Sequence, residues 1–121
     1  MKIATKRIYD EVSESDGKRI LVDRLWPRGI KKENAKIDLW PKEITPSNEL
    51  RKWYHQDIDS RWDEFQQRYR AELNQQIDKI IELRDMAKKE QITLLTSAKN
   101  EDRNHVVVLK QLIEESELSS F

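Results

Sequence analysis

Cysteine is missing from this 121-residue chain. That excludes a disulfide framework, thiolate metal sites and cysteine nucleophiles, and it agrees with a reducing compartment. Glycine and proline are scarce, with two and three residues, and all of them lie at or before position 46. The first third is therefore expected to be rich in loops, and the remainder to be interrupted only by polar caps. Net charge is absent too, because 23 Lys and Arg balance 23 Asp and Glu. A protein that coats nucleic acid depends on neutralising many phosphates, so the balance argues against that class while leaving room for a local basic patch. No apolar run approaches the ~20 residues of a membrane span, and the opening residues MKIATKRIYDEV hold no apolar segment of the secretory kind. A cytoplasmic protein without membrane contact is expected. Histidine is confined to His55 and His105, which excludes a multi-histidine metal site. GxGxxG, Walker and HExxH patterns are absent, so neither a cofactor nor a metal is expected.

What remains is the composition of one folded domain. The mass of 14.6 kDa suits a single core. Hydrophobic residues make up only 36%, but four Trp, three Tyr and two Phe are large core fillers. Residues 3–9 read as a strand, followed by a turn at Ser13, Asp16 and Gly17. Residues 19–25 read as a second strand, whose Ile20-Leu21-Val22 run predicts burial on both faces, as in a parallel or central strand. It leads into Trp26-Pro27-Arg28-Gly29, where proline second and glycine fourth suit a type I turn. Residues 31–35 have the length of one helical turn and residues 37–40 that of a short strand. Ser47 is a candidate N-cap for a helix with Leu50, Trp53 and Tyr54 inward. From about residue 59 or 60, Trp62, Phe65, Tyr69, Leu73, Ile77, Ile80 and Leu83 recur every three or four residues, so one long helix or two nearly collinear ones extend to about residue 88. Residues 92–96 form a compact strand, and 102–117 a final helix. This order predicts an α/β fold, a single compact domain with a small, mostly parallel sheet flanked by helices.

In open parallel sheets ligands sit beyond the carboxyl ends of the strands. That rule gathers residues 7–10, 23–31 and 97–105. In the second group, Asp23 and Arg24 could form a buried ion pair while Trp26 fills the core. In the same stretch Arg24 and Arg28 offer planar forks for phosphate or carboxylate, and Trp26 a stacking face. Arg28, in a stiff turn, is equally open to a ligand role and to a structural one. Near residue 47, a helix capped by Ser47 would present free N–H groups to an anion, with Arg51 one turn on. His55, towards the end of that helix, is a candidate for ligand contact or proton transfer. In the third group Ser97 and Lys99 follow a buried strand, and Lys99 could hold an anion or act as a base if desolvated. His105 shares an inward face with Leu109 and Leu112 near a helix start. It is either a proton-transfer group or an interior histidine that ties helix to sheet. A Ser97–His105 nucleophile pair is conceivable, but no elbow motif supports it.

The segments RIYDEV, DGKRILVDRLWPRGI, LRKWYHQD, RWDEFQQRYRAEL and TLLTSAKNEDRNHVVVL together resemble the YeaO-like branch of the family called domain of unknown function 488, DUF488. The resemblance spans almost the whole chain, and VDRLWPRG is its most distinctive part. It implies a compact cytoplasmic bacterial α/β domain with recurring polar positions at Arg24, Arg28, Ser47, Arg51, His55, Lys99 and His105, and it implies no established activity. One departure matters: a wider branch carries Cys-His-Arg where this chain has Asn104-His105-Val106, so thiol chemistry does not transfer.

Two functional classes follow. The first is a basic and aromatic pocket for a small phosphorylated or carboxylated ligand, a nucleotide among the candidates. Arg24, Arg28 and Arg51 would hold the anion there, Trp26 would stack, and His105 or His55 would move a proton. The second is a non-enzymatic module for nucleic acid or a protein partner, using Arg51, Lys52, Trp53 and Tyr54 on unpaired bases. An oligomer-forming structural protein, with its arginines in internal ion pairs, is a third.

Overall fold

Three strands set the frame. They are β1 (Ile3–Arg7), β2 (Lys18–Leu21) and β3 (Ile92–Thr96), followed or separated by helices α1 (Lys32–Ala35), α2 (Asn48–His55), α3 (Ile58–Asn74), α4 (Ile77–Lys89) and α5 (His105–Leu118). The structure, a computed structural model, describes residues 1–118, with side-chain surroundings through Glu115. β3 lies in the middle, and both neighbours run parallel to it in the order β1-β3-β2. Its residues alternate between two covered faces, and all five are buried. Ile3 and Lys18 both sit opposite Ile92, so the three strands start together and their carboxyl ends open on the same edge.

β2 is parallel and buried as its apolar run predicts, but it is an edge strand rather than a central one. A passing segment covers its outer side: the Leu21 N–H donates to the Leu39 carbonyl at 2.9 Å, and the Asp38 N–H donates to the Arg19 carbonyl at 2.8 Å. The strand expected over 37–40 is reduced to a single bridge between Ile20 and Leu39. β1 stops at Arg7 instead of residue 9 because Asp10 turns back, its N–H on the Arg7 carbonyl and its carboxylate on the Arg7 N–H. The next turn is a short 3-10 segment, Glu14–Asp16, in which Ser13 and Asp16 cap each other reciprocally. The turn after Trp26 is also shifted by one residue. Arg28 and Gly29 occupy it, and Gly29 has φ +76°, the left-handed value asked of the third residue of a type II turn.

Ser47 caps α2, its hydroxyl accepting from the Leu50 N–H, and Leu50 and Tyr54 turn inward while Trp53 is half-buried. The long apolar stripe belongs to two helices. The chain breaks at Gln75 and Gln76, and the break shifts the stripe's register: Phe65, Tyr69 and Leu73 are buried before it, Ile80, Leu83 and Ala87 after it, and Ile77 is left exposed. α5 begins at His105, later than expected, because Asn104 takes the cap and accepts from the Val106 and Val107 N–H groups.

The main core lies between one sheet face, with Ile20, Ile92 and Leu94, and helices α2 to α5. The opposite face carries a smaller cluster of Ile8, Leu95 and Ala35 with Trp26, Ile30 and Ile37 packed against it. On that second face Asp16 pairs with Arg19 and with Lys6. No helix among the described residues is long and apolar enough to cross a membrane.

Candidate functional site

Because the strands end together, the loops after β1, β2 and β3 enclose a cleft of about 850 Å³, closed on its far side by α2, the start of α3 and the start of α5. Asp23 holds these pieces in place. It follows β2, and its carboxylate accepts from the Thr96 hydroxyl at 2.7 Å, the Ser97 N–H at 2.7 Å and the Ser97 hydroxyl at 2.8 Å. His105 Nε2 stands 3.1 Å from the same carboxylate and 2.8 Å from the Val22 carbonyl. Both neighbours are acceptors, so Nε2 carries the proton. Burial alone would raise the Asp23 carboxyl. The hydrogen bond and charge of His105, the Ser97 N–H and the Thr96 hydroxyl outweigh that and hold it below the ordinary carboxylate value.

This arrangement corrects two expectations. Asp23 does not pair with Arg24; adjacent residues leave a strand on opposite sides, and Arg24 donates instead to the Pro46 carbonyl at 3.1 Å and the Thr45 carbonyl at 3.3 Å. Nor is there a Ser97–His105 nucleophile pair. The serine proton and the imidazole N–H both point at Asp23, so the hydroxyl has no base to receive its proton.

The remaining sequence candidates separate into those facing the cleft and those used elsewhere. Arg28 and Lys99 line it, are exposed, and have no side-chain partner among the described residues. Lys99 is exposed, so it lacks the burial that a lysine base needs. Arg51 lines the cleft with a buried Nε that has no hydrogen-bond partner and an Nη2 3.4 Å from Asn48 Oδ1. His55 lines it too; the residue is exposed, but partial desolvation of its ring, then the nearby Arg51 and His105 charges, push its imidazole below the ordinary histidine value. Trp26 lies along the cleft but is committed to the fold. Its indole N–H donates to the Ile30 carbonyl at 2.7 Å, and its ring meets Trp40 edge-on at 5.4 Å. Ser47 is outside the lining, and the protein's own Glu72 fills the anion position at that helix start, accepting from the Ser47 hydroxyl at 2.6 Å and N–H at 2.9 Å.

The strand-end rule gathers the loops that hold Arg7, Tyr9 and Arg103 but singles out none of the three, and all line the cleft. Arg7 donates to the Ala98 and Ser97 carbonyls at 3.2 and 3.3 Å and lies 5.1 Å from the Tyr9 ring centre. The position of Arg7 at the end of a strand was the available signal. Arg103 is held by Asp59 at 3.0 Å, a contact across 44 residues that no local pattern announces. The aromatic residues of α2 are occupied internally. Tyr54 stacks on Phe65 at 4.0 Å, and Arg61 and Arg68 lie over the Trp53 ring at 4.9 and 4.3 Å. Among the described residues no group of three or more His, Cys, Asp or Glu could hold a metal ion.

The family model described as "Inactive DUF488-N3 subclade" matches residues 2–120. The chain is 53% identical over 109 residues to the uncharacterized protein YeaO of Escherichia coli K12, covering 90% of this chain and 94% of that one. It is 38% identical over 112 residues to the uncharacterized protein Rv3073c of Mycobacterium tuberculosis H37Rv, covering 93% of each. No solved structure matches it.

Proposed function

Because the chain belongs to the YeaO-like DUF488 family, we propose that its cleft binds a small organic anion, carboxylated or phosphorylated, and does so without turning it over. One observation carries the reading. In a chain of zero net charge, the cleft is lined by Arg7, Arg24, Arg28, Arg51, Lys99 and Arg103 against a single carboxylate, Asp23, which is itself saturated with donors. Such segregation concentrates positive potential in a partly enclosed space, where its field is less screened than on open surface. Among the described residues, Arg28 and Lys99 have no side-chain partner and Arg51 has a buried Nε without one, so these three would make the direct contacts.

A binding role fits the local chemistry better than catalysis. No cysteine exists, the Ser97 hydroxyl is given to Asp23, and His105 Nε2 is held by Val22 and Asp23. The description of the matching subclade as inactive points the same way. Recognition of unpaired bases by α2 is disfavoured, because Tyr54 is buried on Phe65 and Trp53 is already covered by two guanidinium groups.

The test is thermal unfolding of the purified protein against phosphate, sulfate, organic carboxylates, phosphate monoesters and short oligonucleotides, with Arg28→Ala alongside. A ligand at about 100 times its Kd adds roughly 2.7 kcal/mol to the folded state. We expect a rise in Tm with organic anions that the variant loses while its ligand-free Tm is unchanged. Equal shifts in both proteins, or none in either, would remove the reading. A shift confined to oligonucleotides with a steep salt dependence would replace it with nucleic-acid binding.

A further inference from the structure

We infer that the ligand of this cleft is an amphiphilic anion, with an apolar alkyl or aryl body and a carboxylate or phosphate monoester head, rather than a nucleotide or a sugar phosphate. The inference rests on the anion-binding reading above and narrows it to one chemical class.

Burial separates a floor from a mouth. Trp26, Ile58 and Ala98 line the cleft half-buried, with part of their apolar surface open to it, whereas Arg28 and Lys99 line it and are exposed. The fully exposed cations therefore stand at the entrance, and half-buried apolar surface lies further in beside the half-buried Arg24 and Arg51. The volume of about 850 Å³ is far more than a bare oxyanion fills. Leu25 lines the same cleft and is 59% exposed, a large apolar side chain left in solvent at the site. Its sequence neighbours Arg24 and Trp26 are half-buried and Pro27 is buried, so Leu25 stands out from the residues on either side of it.

Among the described residues, most neutral polar side chains of the cleft are already used, His55 being the exception. Ser97 and Thr96 donate their hydroxyls to Asp23. Asn104 accepts from the Val106 N–H and donates to the Asn100 carbonyl. Asn100 accepts from the Asp102 and Arg103 N–H groups, which leaves only its Nδ2 on the exposed rim. The Tyr54 hydroxyl donates to the Arg103 carbonyl. A sugar or a heterocyclic base entering here would surrender its hydrogen bonds to water with few side-chain partners to replace them. An alkyl chain or a plain aromatic ring loses nothing of that kind and gains by leaving water. Specificity in this cleft is thus positive at the head and exclusive at the body.

The experiment titrates intrinsic tryptophan fluorescence, with calorimetry in parallel, using the full chain. The probes are inorganic phosphate, butyrate, hexanoate, octanoate, phenyl phosphate, 1-naphthyl phosphate, AMP and ribose 5-phosphate. Affinity should rise about fourfold for each CH₂ buried along the carboxylate series, and naphthyl phosphate should bind more tightly than phenyl phosphate. AMP and ribose 5-phosphate should bind no more tightly than inorganic phosphate. A rise in one series alone supports the inference and identifies the head group. Leu25→Ser, made at an exposed side chain, should weaken octanoate several-fold and leave phosphate unchanged, and Arg28→Ala with Lys99→Ala should weaken octanoate at least tenfold. A flat carboxylate series, or AMP tighter than naphthyl phosphate, would overturn the amphiphile and leave the anion site standing. Octanoate binding that ignores the double variant, or no binding by any probe, would overturn both.

Discussion

Replacing Asp23 with asparagine strikes the joint on which the cleft is built. The carboxylate receives the Thr96 hydroxyl on one oxygen and the Ser97 N–H and hydroxyl on the other, with His105 Nε2 3.1 Å away. Asparagine keeps the shape but turns one oxygen into an NH₂ group, so one side of the site faces its donors with another donor. Each hydrogen bond to a charged group contributes about 1.5–3 kcal/mol, and a buried donor left without an acceptor costs about 1–3 kcal/mol. The retained carbonyl recovers part of this, so we expect a loss of roughly 3 kcal/mol. For a domain of this size each kcal/mol corresponds to about 3–5 °C, so Tm should fall by roughly 10 °C.

Urea unfolding followed by circular dichroism at pH 7 measures the loss, and repeating it at lower pH isolates its origin. The Asp23 carboxyl is held below its ordinary value in the folded protein, so the unfolded chain binds the proton more readily. Its contribution is complete above the unfolded value of about 3.9 and is lost as pH falls through the lower folded value. The gap between wild type and Asp23→Asn should therefore narrow steadily below about pH 4. A difference under about 0.5 kcal/mol at pH 7, in the range of a neutral surface change, would refute the joint. So would a gap that stays constant down to pH 3, because the deficit would then have no ionic part.

Gly17→Ala and Gly29→Ala should differ sharply although both glycines have positive φ. A Cβ at Gly17 would lie 2.1 Å from the Gln91 carbonyl oxygen, whereas one at Gly29 would meet nothing within 4 Å. The first should cost more than about 3 kcal/mol and the second about 1 kcal/mol by denaturant unfolding. Ser47→Ala removes both the α2 cap and the hydroxyl bond to Glu72, and a loss of about 1–2 kcal/mol is expected in the same assay. His55 should titrate by NMR below the ordinary histidine value because of partial desolvation and the charges of Arg51 and His105, and Arg51→Ala should raise it. Since the folded value is the lower one, this group favours the fold above the unfolded value and loses that contribution as pH falls.

Much of the fold was legible because it rests on local signals. The β3 span, the Ser47 cap and the parallel sheet follow from an unbroken apolar run, a proline-serine punctuation and the order of elements. The mistakes arose where the deciding partner was distant. The segment covering β2 is a passing loop, which a strand pattern cannot distinguish from a neighbouring strand. The choice between one helix and two stays open in sequence because the break after Asn74 has no glycine or proline to mark it, and Ile77, read as part of the stripe, keeps the three-and-four spacing while facing solvent. The late start of α5 turns on which of Asn100 and Asn104 caps which turn, and both residues are equally plausible caps in sequence.

The same limit explains why the cleft's charge could not be read residue by residue. Asp16 and Arg19 stand three apart and Asp23 and Arg24 are adjacent, and from sequence only the second couple reads as a candidate ion pair. In the structure Arg19 is neutralised by Asp16 on one sheet face. On the cleft side, Arg24 is fixed by the Thr45 and Pro46 carbonyls, and Arg7 by those of Ser97 and Ala98. A carbonyl orients a guanidinium without cancelling its charge, so these two arginines are immobilised and still positive. Asp23, which could have neutralised one of them, is saturated by Thr96, Ser97 and His105 instead. The balanced chain thereby keeps one cationic cleft whose field is built from fixed groups, and Arg28 and Lys99 remain free to close on whatever that field attracts.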